Sequence, residues 1–292
     1  MLPKKVLIVG LLKADSGKTT FSRGLICALK ERNINIIPFK PVSGHNFYFQ
    51  FDTLQENVRN QCLFSHDIDT LIASAQTQLP VELLNPVDRL LVPLDFEKYI
   101  QFPRQYFTHI EKVDTLLLQR MSFLRDRNRL QLDNVYLINK PATDKVLWTP
   151  QLIEEILKGA DQVIEMEDLY QLVTYHAKYF EEITTTAFNA VGERAELILI
   201  ESLNDVACPA RCATSADIII AVVPGWALFY SPKDFFRTLN LQQQLKGEQR
   251  PILMEDLCPV IDPVWKIRLN FRTQREKIGP EFEHIAEYIV SR

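Results

Sequence analysis

The chain has 292 residues, 47% of them hydrophobic, and a formal net charge of −4. That length holds one large α/β domain or two small ones with a full core, and the weak acidic balance gives no electrostatic case for nucleic acid or an anionic membrane as partner. No stretch has the order of a signal peptide, and the longest apolar run, 218–230, contains Pro224 and Gly225 and is too short to span a bilayer, so the expectation is a soluble, cytoplasmic protein.

In chain order, the apolar run 6–9 reads as a buried strand. Residues 10–20 follow, Gly-Leu-Leu-Lys-Ala-Asp-Ser-Gly-Lys-Thr-Thr, and then an amphipathic pattern that predicts a helix over 18–32. Strand, loop, Gly-Lys-Thr and helix is the phosphate-binding arrangement of nucleoside triphosphatases. Loop N–H groups and a helix N-terminus converge on an anion there. Lys13, Asp15, Ser16, Gly17, Lys18, Thr19 and Thr20 are the candidate nucleotide contacts, with Lys18 on the β- and γ-phosphates and the Thr19 hydroxyl on Mg²⁺. The glycine that usually opens such a loop would fall at position 12, which is Leu12, and the nearest upstream glycine is Gly10.

Further strands are expected at 34–39, 135–138, 197–200 and 218–223. Helices are expected at about 66–78, 105–122, 151–158, 168–191, 232–246 and 280–290. This alternation predicts a mostly parallel sheet covered by helices on both faces. The segment 41–62, rich in aromatic and polar residues, reads either as a loop packed on the domain or as a substrate wall beyond a strand end. Five cysteines fit a reducing compartment. Cys208 and Cys212 form a Cys-x-x-x-Cys pair without a partner pair, read as buried or free thiols in preference to a zinc half-site.

Four segments line up with the loop: Lys40-Pro41-Val42-Ser43-Gly44, Ser65-His66-Asp67, Asn85-Pro86-Val87, and Leu199-Ile200-Glu201-Ser202. Lys40 follows an apolar strand, where a lysine is costly unless an anion or carboxylate meets it; solvent beyond the strand end is the alternative. Glu201 likewise ends an apolar strand and reads as a metal ligand, a salt-bridge partner or a helix cap. Asp67 reads as a metal ligand or as the cap of a helix beginning near Ile68.

In order and spacing these segments resemble dethiobiotin synthetase and its relatives, the cobyrinic acid amidotransferases and the MinD/ParA-type ATPases, over residues of about 4–230. The resemblance implies a single phosphate-loop nucleoside triphosphatase domain with a C-terminal extension over about 231–292, and ATP and Mg²⁺ as cofactors. Lys18 and Thr19 match the family's phosphate lysine and magnesium hydroxyl. Lys40 matches the lysine that neutralises the transferred phosphoryl group and the attacking oxyanion, which makes Lys18 and Lys40 the catalytic pair. Asp67 and Glu201 match the acidic metal ligands, and Ser43, Asn85 and Pro86 fall in the substrate segments. The implied activity is ATP-dependent phosphorylation of a small carboxylate or carbamate in a homodimer. Two departures stand out. Ser202-Leu203-Asn204 replaces the glycines that follow the family's strand-end glutamate. Lys13 has the spacing of the lysine that crosses the dimer interface in MinD/ParA-type switches, but Ala14 and Asp15 replace the glycines after it. A dimeric ATP-driven switch acting on a protein partner is the alternative.

Overall fold

A computed structural model describes residues 2–110, 115–247, 250–270 and 280–292. In chain order the described elements are β1 (Lys4–Gly10), α1 (Lys18–Lys30), β2 (Ile36–Phe39), β3 (Val42–Asn46), α2 (Phe51–Asn60), α3 (His66–Ala75), α4 (Val81–Leu84), β4 (Val87–Leu91), α5 (Pro103–Ile110), β5 (Leu116–Asp126), β6 (Gln131–Asn139) and α6 (Lys140–Thr143). Then come α7 (Pro150–Leu157), β7 (Gln162–Met166), α8 (Leu169–Gly192), β8 (Leu197–Glu201), β9 (Ile218–Val223), β10 (Trp226–Tyr230), α9 (Pro232–Lys246), α10 (Met254–Leu257), β11 (Trp265–Arg268) and α11 (Pro280–Ser291). The fold is α/β with two mixed sheets. The chain divides into two compact units. One comprises Met1–Pro41, Thr70–Leu79 and Phe188–Arg292, the other Val42–Asp69 and Pro80–Ala187.

The first unit holds a six-stranded sheet in the order β11-β10-β9-β1-β8-β2. β9, β1, β8 and β2 run parallel, as the sequence predicts, and β10 and β11 add an antiparallel edge. Val6, Leu7, Ile8 and Val9 are all fully buried, so β1 is covered on both faces, which is why it reads as an unbroken apolar run. Phe21, Leu25, Ile26 and Leu29 of α1 pack with Ile285, Ala286 and Ile289 of α11 on the sheet residues Val6, Ile8, Leu199 and Ile220. The segment after 231 thus supplies both an edge strand and a core helix to this unit.

The second unit holds a five-stranded sheet in the order β3-β4-β5-β6-β7, antiparallel across β4-β5-β6 and parallel at β3-β4 and β6-β7. Two sequence expectations fail here. The predicted helix 105–122 is a helix only over Pro103–Ile110; from Leu116 the chain is strand β5, and residues 111–114 lie outside the described residues. The run Leu116–Ser122 is buried on both faces of the sheet, so it lacks the period of two that marks a strand. The segment 41–62 forms β3 and α2 in place of a loop, although Tyr48 and Phe49 are exposed.

Candidate functional site

Parallel strands end on one side of a sheet, and ligands of open α/β sheets bind beyond those ends. In the first unit Ile8 of β1 lies opposite Glu201 of β8, and Phe39 of β2 lies opposite Ile200. The register therefore brings three features to one edge: the loop that leaves β1, the last residue of β8, and Lys40 just past β2.

Glu201 is fully buried and Lys40 is 2% exposed. Lys40 Nζ donates to Glu201 Oε1 at 2.7 Å, and the Thr19 hydroxyl donates to the same oxygen at 3.2 Å. Ser22, one turn further along α1, donates to Glu201 Oε2 at 2.8 Å. Burying an ammonium and a carboxylate costs several kcal/mol per ion unless the pair is close and its remaining valences are filled; here the two hydroxyls fill acceptor sites of the carboxylate. Of the sequence alternatives, the carboxylate thus has the ion-pair partner and Lys40 does not reach solvent. Sequence reading misses Ser22, whose only signal is its spacing of three from Thr19 on one helix face.

The loop closes over Gly10. A Cβ built there would lie 2.8 Å from the Asn204 carbonyl oxygen and 2.9 Å from Lys18 Nζ. The close approach that requires a glycine therefore falls at position 10, while Leu12 points outward, 41% exposed. Lys18 Nζ bridges the loop, donating to the Asn204 carbonyl at 2.7 Å and reaching Ser16 Oγ at 3.4 Å. Gly17 precedes α1 with φ +88°, a left-handed conformation that favours glycine. The N-terminus of α1 has no side-chain cap and no acidic residue in its own first turn; Glu201, held by Thr19 and Ser22, is the carboxylate beside its positive dipole end. Lys13, Asp15, Gly17 and Thr20 are exposed, and Ser16 is buried.

Mg²⁺ holds its ligands at about 2.1 Å, which puts adjacent octahedral oxygens about 3 Å apart. The 3.2 Å separation of Thr19 Oγ1 and Glu201 Oε1 matches that spacing. The donor set fits Mg²⁺ as two protein oxygens completed by phosphate and water, with Lys40 as the cation now balancing the carboxylate. Among the described residues no group of three or more His, Cys, Asp or Glu side chains is arranged to hold a metal by itself. Cys27, Cys62 and Cys258 are free thiols.

The remaining sequence candidates lie in the second unit. Ser43, Asn85 and Pro86 are buried. Ser43 Oγ meets Asn85 Oδ1 at 2.9 Å and also Asp88 Oδ1, and the Asn85 and Pro86 carbonyls accept from Arg120 Nη2 at 2.7 Å and Ser122 N at 2.9 Å. Ser43 begins a polar row across four strands, Ser43, Asp88, Arg120 and Tyr136, each opposite the next. Arg120 is fully buried and donates to the Leu63 carbonyl at 2.7 Å and to Ser122. Asp67 lies within the first turn of α3, which begins at His66, so it is past the cap position and in range of the helix dipole.

No family model, curated protein or solved structure matches this chain.

Proposed function

We propose that this chain is an ATP- and Mg²⁺-dependent enzyme that activates a small carboxylate or carbamate by phosphoryl transfer, built on a phosphate-loop nucleoside triphosphatase domain of the dethiobiotin synthetase type. The observation that carries this reading is the cluster of Lys18, Thr19, Lys40 and Glu201 at the ends of parallel strands, beside a glycine-seated loop and an uncapped helix N-terminus. Phosphoryl transfer asks a protein for position and charge more than for covalent chemistry. Lys18 and the first-turn N–H groups of α1 bind and orient the triphosphate. Thr19 and Glu201 would hold Mg²⁺, which would supply charge neutralisation to the triphosphate. Lys40 offers positive charge to the attacking oxygen of the acceptor, which forms a bond to the γ-phosphorus as the bond to the ADP oxygen breaks. Residues that meet developing charge act on the chemical step. The assignment carries with it a cytoplasmic homodimer.

Exposed Lys13 favours a second reading, a dimeric ATP-driven switch in which this lysine reaches the partner subunit's phosphates. The two readings part at Lys40. For the enzyme, Lys40→Ala binds ATP nearly normally but loses acceptor-stimulated turnover by ~10²–10³, and Lys40→Arg restores only part of it. The assay is ATP hydrolysis against a panel of diamino and carboxylate metabolites, run beside light scattering with and without ATP. If no metabolite stimulates turnover and the variant fails only to dimerise, the switch reading replaces the enzyme.

A further inference from the structure

On the second unit's sheet, the face opposite the Ser43–Asp88 contact carries Arg89 of β4 and Gln119 of β5, directly opposed in the ladder, with His176 of α8 above them. Arg89 Nε donates to Gln119 Oε1 at 2.9 Å, Arg89 Nη2 lies 3.1 Å from His176 Nε2, and Gln119 Nε2 lies 3.3 Å from His176 Nδ1.

This ring cannot satisfy itself. Arginine has donors only, glutamine one donor group and one acceptor, and neutral imidazole one of each. With Gln119 accepting from Arg89, its amide N–H faces one ring nitrogen of His176 and Arg89 faces the other, yet imidazole accepts at only one. Turning the Gln119 amide over moves the clash to Arg89 Nε. Protonating His176 adds another donor. In every arrangement one contact sets donor against donor.

The charge is unbalanced as well. No carboxylate among the described residues lies within ion-pair distance of Arg89, and the neighbouring Asp88 turns its Oδ1 to Ser43 on the other face. Burial pulls the Arg89 pKa down against the smaller opposing effect of the Asp88 charge, and burial followed by the charge of Arg89 brings that of His176 down to about 3. Both residues remain partly open to solvent, and the next position in the row, at the sheet edge, is Gly44, which contributes no side chain.

We propose that Arg89, Gln119 and His176 form a binding site for an oxyanion, the phosphate or carboxylate group of a small molecule. An oxyanion accepts from Arg89 Nη2 and from the His176 Nε2–H, while Gln119 accepts from Arg89 Nε and donates to His176 Nδ1. Every donor then has an acceptor, and the guanidinium has its countercharge. The inference does not rest on the nucleotide reading, because the three residues lie in the second unit.

The test follows the His176 ring resonances, assigned with His176→Gln, in the full chain carrying Lys18→Ala so that the phosphate loop contributes nothing. Inorganic phosphate and acetate are titrated separately at matched ionic strength. The expected result is a saturable shift with one or both anions, with a Kd on the order of 1 mM, weakened at least ~tenfold by Arg89→Gln. Phosphate alone identifies a phosphoryl group, and acetate alone a carboxylate. Arg89→Lys keeps the charge without the fork and serves where Arg89→Gln does not fold; it weakens binding several-fold. A ring that neither anion shifts beyond a chloride control, or a shift of equal affinity in the folded Arg89 variants, overturns the site.

Discussion

Lys40 and Glu201 illustrate how a single residue pair can combine structural and chemical demands. Both are buried and 2.7 Å apart. Removing one partner of such a pair leaves an uncompensated charge and costs about 3–5 kcal/mol. Lys40→Met and Glu201→Gln are therefore each expected to lower the unfolding free energy of the metal-free protein by roughly that amount, and the double variant by much less than the sum. Urea denaturation of the four proteins measures the cycle. Additive losses would mean that the two groups are not coupled. The pair is legible in sequence because a charged residue directly after an apolar strand needs a partner. The Arg89–Gln119–His176 ring is not legible, since its members come from two antiparallel strands and a helix far apart in the chain. It too gives a prediction. The His176 pKa is lowered from 6.5 to about 3, by burial first and then by Arg89. Between those values the unfolded chain binds a proton that the folded one refuses, so this contribution is complete above pH 6.5 and fades as pH falls towards 3. The slope is about 1.4 kcal/mol per pH unit. His176→Gln should flatten the wild-type loss of stability across that window; parallel stability profiles for the two proteins would contradict it.

At the scale of elements, helices with a clear amphipathic period are read well from sequence, and Pro150, Pro232 and Pro280 mark the starts of three of them. The expected helices 18–32, 151–158, 168–191, 232–246 and 280–290 all correspond to observed ones. The strand β5 is missed because burial on both faces removes its alternation, and pairing with β4 and β6 decides its form. The contribution of α11 to the first core is likewise hidden, because a C-terminal amphipathic helix does not announce what it packs on. Ile285 is fully buried beside α1 and the sheet, so Ile285→Ala should cost about 2–5 kcal/mol, read from the shift in the denaturation midpoint. A loss below about 0.5 kcal/mol, the range of a surface substitution, would separate α11 from that core. Gly159, just past α7, has a different constraint. A Cβ there would collide with the backbone carbonyl oxygen of Gln61, at the end of α2, so Gly159→Ala is expected to lower the melting temperature in spite of alanine's better propensity.

At the scale of the molecule, the phosphate-loop candidates Lys13 to Thr20, with Lys40 and Glu201, fall in the first unit, and Ser43, Asp67, Asn85 and Pro86 fall in the second. Parallel strand order is what makes the first group coherent: β1, β8 and β2 are neighbours, so residues 18, 40 and 201 meet although the chain separates them widely. The sequence alternation points to that parallel run, but a second mixed sheet is not foreseen: β3 lies in a segment read as a loop or a substrate wall, β5 starts inside an expected helix, β6 alone matches an expected strand, and β4 and β7 fall where no element is expected. No described helix is long and apolar enough to cross a membrane. The central claim is that the first unit binds a nucleoside triphosphate through Lys18. Titration calorimetry of ATP with Mg²⁺ into the full chain and into Lys18→Ala measures it directly. Binding by the wild type is expected, with an affinity at least tenfold lower in the variant, about 1.4 kcal/mol; equal affinities, or no binding by either protein, would contradict a phosphate loop at Lys18.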